Sequence, residues 1–204
     1  PSSLGEDLTA DPPARLRARG TGNERESERD ARDRAARRGV LIHRLLERLP
    51  DTPPEARAAA AARWLGRNAP TLSPDARAVL AQDALAVLDD ERWAPLFGPG
   101  SLGEVPIAAT VGGRVITGTI DRLLVEPACV RLIDFKTHRQ PPRDAGEVPA
   151  AIIRQMAAYA LALEATFPGR SIAAALLYTA APRLIALGDA QLEPFRQALL
   201  RGAD

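Results

Sequence analysis

Leu132-Ile133-Asp134-Phe135-Lys136-Thr137 predicts a β-strand that carries an acid and an amine. Side chains alternate along a strand, so Asp134 and Lys136 share one face. Lys136 is the only lysine of the chain, because every other one of the 27 basic residues is an arginine. Arginine is planar and always charged, whereas lysine is a compact ammonium that can hold a water molecule or a phosphate oxygen. The retained lysine therefore indicates a chemical role for the amine; the alternative is a chance placement.

The composition excludes several classes of site. The 204 residues carry a formal net charge of +1, so an anionic partner would have to meet a local patch rather than a bulk positive field. Cys129 is the only cysteine, which leaves no disulfide framework and no thiolate-bound cluster within this chain. The sequence has no apolar run near the roughly 20 residues of a membrane span, no signal peptide and no phosphate-binding loop of the ATPase type.

These absences lead us to expect a soluble cytoplasmic protein without membrane contact. The chain begins with Pro1, and Met156 is its only methionine. We therefore also expect it to be a piece of a larger protein.

The first half of the chain has the pattern of helices. Residues 1–22 contain prolines and glycines without an apolar period, and they predict a linker. Residues 23–98 predict a helical region that begins with a charged stretch, for which Asn23 is the expected N-cap. That stretch mixes both signs of charge, which favours a solvated helix over a nucleic-acid-binding arm. Further helices are predicted over 39–49, 54–67 and 74–89, the last with Ser73 as its cap.

Residues 99–204 have a different pattern and predict a second domain. Val, Ile, Leu and Thr predict a meander of three strands, over 102–111, 113–126 and 129–137. A polar loop over 138–147 precedes a helix over 149–167, strands over 171–179 and 183–187, and a closing helix over 189–201. This order predicts an α/β (α+β) fold, with an antiparallel meander in a mixed sheet flanked by helices.

The hairpin of the second and third strands brings two acids together. If Pro127 and Ala128 form its tip, Asp121 faces Asp134. Facing side chains have Cβ atoms about 4.5–5.5 Å apart, so two carboxylates there would repel and one would have to take up a proton. A divalent cation such as Mg²⁺, which prefers carboxylate and water oxygens, removes this conflict.

Two alternatives to this pairing stay open at the level of sequence. Pro-Ala is a poor pair for a two-residue hairpin turn, and a slip of one residue would put one aspartate on the other face. Asp121 could instead form an ordinary surface ion pair with Arg122 or Arg131.

Four motifs in order resemble the PD-(D/E)xK nuclease core and, more narrowly, the RecB-type nuclease domain. They are Gly39-Val40-Leu41-Ile42-His43-Arg44-Leu45-Leu46-Glu47, Gly118-Thr119-Ile120-Asp121-Arg122, Asp134-Phe135-Lys136-Thr137 and Gln155-Met156-Ala157-Ala158-Tyr159. Glu104 also matches the acidic position that these domains often show on the first strand. The resemblance spans about residues 39–187 and implies a restriction-endonuclease-like core.

The resemblance implies a role for each motif residue. The metal ion would be held by His43, Asp121, Asp134 and the backbone carbonyl of Phe135, and Lys136 would position the attacking water. The supporting residues would be Gln155 and Tyr159, which would orient Lys136 or a DNA phosphate; Glu47, which would hydrogen-bond His43 or face solvent; and Thr137 and Arg139, which would touch the DNA backbone.

Within that family the chain is most similar to the C-terminal nuclease domain of AddA, the helicase–nuclease subunit of bacterial AddAB. Leu176-Leu177-Tyr178-Thr179 and Glu104-Val105-Pro106 carry this similarity. It implies an Mg²⁺-dependent deoxyribonuclease, with Mn²⁺ as an alternative ion, that cuts single-stranded DNA during double-strand break repair and recombination. A helicase domain would precede this piece, and an AddB-like subunit would be its partner. The alternatives are a catalytically silent nuclease-fold scaffold that binds DNA or a partner, and a stand-alone endonuclease.

Overall fold

The computed structural model describes residues 22–201, with side chains from residue 29 onward. The linker predicted for residues 1–22 therefore lies outside the described residues, except for the backbone of Gly22. The predicted N-cap at Asn23 is wrong, because the helix already includes Gly22 and Asn23 lies inside it. The helices are α1 (Gly22–Arg48), α2 (Pro54–Asn68), α3 (Pro74–Leu88), α4 (Ala150–Thr166) and α5 (Asp189–Leu200), with a short 3-10 helix at Glu91–Phe97. The strands are β1 (Ser101–Val111), β2 (Arg114–Val125), β3 (Cys129–Lys136), β4 (Ser171–Tyr178) and β5 (Arg183–Leu187).

The five strands form one mixed sheet in the order β1-β2-β3-β4-β5. Neighbouring strands are antiparallel except β3 and β4, which run parallel. A parallel pair needs a crossover connection, and α4 supplies it here. The predicted fold class is thus confirmed: the chain has a restriction-endonuclease-like α/β fold whose meander is followed by a helix and two further strands.

Each face of the sheet is covered by its own set of helices. Along the central strands consecutive residues alternate between two apolar cores, so Leu132 packs under α4 whereas Ile133 packs under α1. Burying one such side chain contributes about 1.5–3 kcal/mol of transfer free energy. The predicted helical region therefore packs directly on the sheet, and the division of the chain at residue 98 into two domains stays a prediction.

The β2–β3 hairpin has the register expected if Pro127 and Ala128 form its tip, and the one-residue slip left open by the sequence does not occur. Arg122 pairs with Ile133 and Val125 with Val130, and the Glu126 N–H donates to the Cys129 carbonyl at 2.9 Å across the two-residue tip. The paired region ends one residue before the two aspartates. Beyond this point the Phe135 N–H donates to the Asp121 carboxylate rather than to a backbone carbonyl of β2.

Helix α1 continues through Gly39, so the charged stretch and the His43 stretch form one helix. A Cβ atom at Gly39 would lie 3.2 Å from the Thr137 hydroxyl, just after β3. Arg38, the preceding residue, donates to the Thr137 carbonyl at 2.5 Å and forms an ion pair with Asp83 on α3. These contacts fix the distance between α1, which carries His43, and the end of β3, which carries Lys136.

No helix between residues 22 and 201 combines the length and the hydropathy that a transmembrane segment requires.

Candidate metal centre and active site

Three side chains from three elements form a compact group of potential metal ligands. His43 on α1, Glu104 on β1 and Asp121 on β2 each offer a ligand atom, and these atoms all lie within 4.8 Å of one another. We refer to these three residues as the metal group. Each is half-buried, so the group is shielded by the fold and still open to a ligand.

Asp121 is held by contacts at both of its carboxylate oxygens. Oδ1 lies 3.1 Å from Nδ1 of His43, and Oδ2 accepts a hydrogen bond from the backbone N–H of Phe135 at 2.5 Å. The side chain therefore bridges α1 and β3 at the point where β2 and β3 stop pairing. The alternative of a surface ion pair is not seen, because Arg131 pairs with Glu126 and Arg122 donates elsewhere.

Glu104 reaches the metal group through an irregular backbone. Its φ is +51°, which lies in the left-handed region that residues with a Cβ seldom adopt. The β1–β2 pairing skips Glu104, since Gly103 pairs with Arg122 and Val105 with Ile120. Across this point the strand changes face: a Cβ at Gly103 would touch the Arg122 guanidinium, whereas Val105 packs against the core under α4. Residues two apart share a face in a regular strand, so the left-handed turn at Glu104 breaks the alternation.

Asp134 and Lys136 form a buried ion pair beside the metal group. Lys136 Nζ lies 2.8 Å from Asp134 Oδ2, and the side chains are 17% and 8% exposed respectively. Burial raises the pKa of Asp134, Lys136 opposes that rise, and the negative charge of Asp121 adds to it. Burial would lower the pKa of Lys136, but the Asp134 carboxylate outweighs it and the pKa is raised. The charge of Asp121 therefore acts on Asp134, although Asp134 is not one of the three residues of the metal group.

The imidazole of His43 is placed to interact with more than one acid. Burial alone would lower the pKa of His43, but the neighbouring Asp121 carboxylate reverses this and leaves the pKa raised. The ring also packs edge-on against Phe135, with centroids 5.7 Å apart. Burial raises the pKa of Glu104 too, and the charge of Asp121 adds to the increase. The group thus holds negative charge that the protein itself only partly neutralises.

This donor set fits a divalent cation. Two carboxylates that raise each other's cost of ionisation are stabilised by a positive ion between them. Carboxylate oxygens suit Mg²⁺ and Mn²⁺, whereas an imidazole suits transition metals better than Mg²⁺. The mixed set of His43, Glu104 and Asp121 therefore fits a hard divalent ion that tolerates one nitrogen ligand.

Helix α4 supports the site from the other face of the sheet. Gln155 Nε2 donates to the Tyr159 hydroxyl at 3.3 Å, which also hydrogen-bonds with the backbone of Thr119. A Cβ at Gly118 would overlap the Tyr159 hydroxyl and would lie 2.6 Å from the ring carbon that bears it. Tyr159 is 2% exposed, so its contact is with β2, and its proximity to Lys136 is consistent with a supporting role.

The remaining predicted residues lie around the site with different partners. Glu47 accepts a hydrogen bond from Arg44 at 2.7 Å. Of the two roles predicted for Glu47, the hydrogen bond to His43 is therefore not observed. Thr137 is half-buried against Gly39, and Arg139 is exposed in the loop that follows. Arg122 is buried, and it donates to the Leu46 carbonyl at 2.7 Å, where a cation also complements the C-terminal end of α1.

The structure thus brings together most of the residues that the motifs selected and adds one. The predicted metal ligands His43 and Asp121 are in contact, and Asp134 with Lys136 is adjacent to them. Glu104 was noted only as an acidic position of the first strand and was not among the predicted ligands. The match to that acidic position was the one feature of the sequence that pointed to Glu104. The alternation of side chains along a strand does not predict a left-handed residue there.

Comparison with known proteins identifies a superfamily match and one similar solved structure. A profile of the PD-(D/E)XK nuclease superfamily matches residues 11–201. No curated protein matches the sequence. Among solved structures, the crystal structure of SSO0001 is similar to this chain, with 16% identity, coverage of 78% of this chain and 73% of that chain, and a TM-score of 0.34. The superfamily match includes the metal group and the Asp134–Lys136 pair.

Proposed function

This chain belongs to the PD-(D/E)XK nuclease superfamily, and we propose that it hydrolyses DNA phosphodiester bonds with Mg²⁺, or Mn²⁺ in its place. The observation that carries the proposal is the convergence of the His43, Glu104 and Asp121 ligand atoms within 4.8 Å. The buried Asp134–Lys136 pair beside them supplies the amine that such chemistry needs. No covalent intermediate with the protein is part of the proposal.

We propose that the ion is held by the metal group, with Asp134 and the Phe135 carbonyl as further ligands. A divalent ion there would lower the pKa of a bound water and offset the charge of the phosphate. The hydrogen bond from the Phe135 N–H to Asp121 and the contact of Asp121 with His43 support this role. Little rearrangement of the side chains is then needed on binding.

Lys136 has a separate role in the proposal. Its ammonium is held 2.8 Å from Asp134 and donates hydrogen bonds only. It would orient the attacking water and stabilise negative charge as it develops on the phosphoryl oxygens. Gln155 and Tyr159 keep the β2 backbone beside Lys136 in place.

The finer assignment follows from the motif resemblance to AddA. We propose that the substrate is single-stranded DNA, contacted mainly through its backbone, with Thr137 and Arg139 near the phosphates. The parent chain would carry a helicase domain ahead of this piece and would bind an AddB-like subunit. Its role would be in double-strand break repair in the bacterial cytoplasm at the nucleoid.

A catalytically silent scaffold is the competing proposal. A scaffold gains nothing from keeping Asp121 and Glu104 together, because their mutual repulsion lowers stability in the absence of an ion. The backbone distortion at Glu104 adds to that cost. The retained acids favour an active site.

A cleavage assay tests the proposal. Single-stranded oligonucleotide and supercoiled plasmid are incubated with the protein and Mg²⁺ or Mn²⁺, with and without EDTA. We expect cleavage that EDTA abolishes, and a loss of at least about 100-fold for Asp134→Ala, with an unchanged circular dichroism spectrum. Lys136→Arg should also lose about 100-fold, because the planar guanidinium does not replace the compact ammonium.

Arg114→Ala is the matched control. Arg114 is exposed at the start of β2, beside the β1–β2 turn and away from Asp121, so this variant should cleave like the wild type. Absence of metal-dependent cleavage at any protein concentration would favour the scaffold. Full activity of Asp134→Ala would remove Asp134 from the mechanism.

A further inference from the structure

A groove lies between α1 and α2, apart from the metal group. It has a volume of about 200 Å³, with Leu45 and Leu49 of α1 among its lining residues. Arg48 of α1 and Arg63, Trp64 and Arg67 of α2 also line it. Residues three and four apart share a helix face, so each helix presents one stripe to the groove. Leu45 and Leu49 are buried and give it an apolar floor.

The three arginines of the groove have no acidic partner among the side chains that the structure describes. Arg48, Arg63 and Arg67 are exposed, and none of them forms an ion pair with any residue from 29 to 201. Arg57, on the same helix as Arg63, provides a contrast, since it pairs with Asp89 at 3.0 Å and donates to two backbone carbonyls. The groove arginines therefore contribute positive charge that no acidic side chain of the described residues neutralises.

Trp64 adds an aromatic surface to this charge. The Arg48 guanidinium carbon lies 6.0 Å from the centre of the Trp64 ring, and Trp64 is only half-buried. Trp93, the other tryptophan, is 9% exposed and belongs to the core under the sheet. Trp64 is thus the tryptophan with a surface that a ligand can reach.

We propose that this groove binds a segment of single-stranded nucleic acid, with a base stacked on Trp64 and phosphates on Arg48, Arg63 and Arg67. An aromatic platform combined with a positive groove is the arrangement by which single strands are bound without sequence preference. A purely acidic segment such as polyglutamate would pair with the arginines, but it has no aromatic ring to stack on Trp64. The nucleic-acid identity of the ligand rests on the proposed function.

The groove is a second contact for the strand that enters the metal site. His43 and Arg48 are five residues apart, which is about 8 Å along the axis of α1 and on different sides of it. A strand leaving the metal group would cross the exposed face of α1 at Arg44 and then reach Arg48. A helix is roughly 10–12 Å wide, so a few nucleotides span the distance. The groove would therefore hold the strand while its end is cut.

The test uses Trp64 as its own reporter. Trp93→Phe leaves Trp64 as the sole tryptophan, and it removes an indole N–H that has no hydrogen-bond partner. Oligothymidylate is titrated in EDTA, so that binding is measured without cleavage, and tryptophan fluorescence is followed. We expect saturable quenching. The double variant Arg63→Ala/Arg67→Ala should bind oligothymidylate with an affinity at least about tenfold lower. Its slope of log affinity against log salt should be smaller in magnitude by about 1.4.

Arg114→Ala in the same background is the control, with thermal melting to verify each fold. The proposal is overturned if oligothymidylate does not quench Trp64, or if the double variant binds as tightly as the Arg114→Ala control. It is equally overturned if polyglutamate binds the groove as tightly as oligothymidylate. Because binding is measured without metal, a protein that binds but never cleaves would contradict only the proposed nuclease activity. One that cleaves but binds independently of Arg63 and Arg67 would contradict only the groove.

Discussion

At the scale of single residues, the site depends on side chains held in unfavourable states. Glu104 adopts a φ of +51°, which costs roughly 1–2 kcal/mol for a residue with a Cβ. His43 and Asp121 are held in contact, and burial raises the pKa of Asp134. Strain and charge repulsion concentrate where a ligand offsets them, which is the pattern expected of a metal-dependent site.

Glu104 gives a prediction that separates strain from chemistry. Glu104→Gly removes both the carboxylate and the left-handed penalty, whereas Glu104→Gln removes only the charge. We expect both variants to lose cleavage, and the glycine variant to be about 1 kcal/mol more stable than the glutamine variant in urea denaturation. Equal stability of the two variants would contradict the left-handed conformation, and wild-type cleavage by either would exclude Glu104 as a ligand.

His43 gives a prediction about pH in metal-free protein. Its pKa is raised above the ordinary 6.5 in the folded chain, so the folded state binds this proton more tightly than the unfolded state. The stabilisation by protonated His43 is therefore complete below about pH 6.5 and is lost as pH rises through the folded pKa. In EDTA, the unfolding free energy of the wild type minus that of His43→Gln should fall over this window. A difference that stays flat or rises with pH would contradict the assignment.

At the scale of elements, close approaches place the helices against the strands that carry the site. Tyr159 on α4 touches β2 at Gly118, and Arg38 on α1 holds the end of β3 through the Thr137 carbonyl. Gly39 allows α1 to approach Thr137. The two strands that supply Asp121 and Lys136 are thus held from both faces of the sheet.

Gly118→Ala tests the contact between α4 and β2. The added Cβ would overlap the Tyr159 hydroxyl and would lie 2.6 Å from the ring carbon that bears it, so the ring or the strand must move. We expect a loss of about 1–3 kcal/mol in unfolding free energy. In a double-mutant cycle, Tyr159→Phe should recover only part of that loss, because the ring carbon remains too close.

Gly66→Ala is the matched control for this prediction. Gly66 lies inside α2, and a Cβ atom added to it would have nothing within 4 Å, so alanine there should stabilise by roughly 0.5–1 kcal/mol. If Gly118→Ala is as well tolerated as Gly66→Ala, the close packing of Tyr159 on β2 is wrong.

Across the full chain, local sequence patterns were sufficient to predict the helices, the strands and a mixed sheet with an antiparallel meander, but not the parallel pairing of β3 with β4. The meander and the helix that becomes α4 followed from the spacing of apolar residues, and the β2–β3 register followed only on the condition that Pro127 and Ala128 form the tip. The resemblance to the nuclease family selected His43 and Asp121 from distant parts of the chain, and the structure places them in contact. These features could be predicted because each depends on a pattern of neighbouring residues or on a motif.

Features that depend on tertiary contact were not predicted. Glu104 joins the metal group through a left-handed backbone, which no local residue pattern requires. Arg122 binds the carbonyl end of α1 rather than an acid, because the packing of α1 on the sheet brings Leu46 to it. The groove beside Trp64 depends on how α1 and α2 are placed relative to each other, which no motif in the sequence specifies.

We propose that His43, Glu104 and Asp121 share one divalent ion next to Asp134 and Lys136. Anomalous scattering from a crystal soaked in Mn²⁺ tests it most directly, because the signal locates the ion itself. The predicted result is one strong peak within roughly 2.5 Å of a donor atom of each of the three residues. A peak that leaves out Glu104 and Asp121, or no peak at saturating Mn²⁺, would contradict the claim.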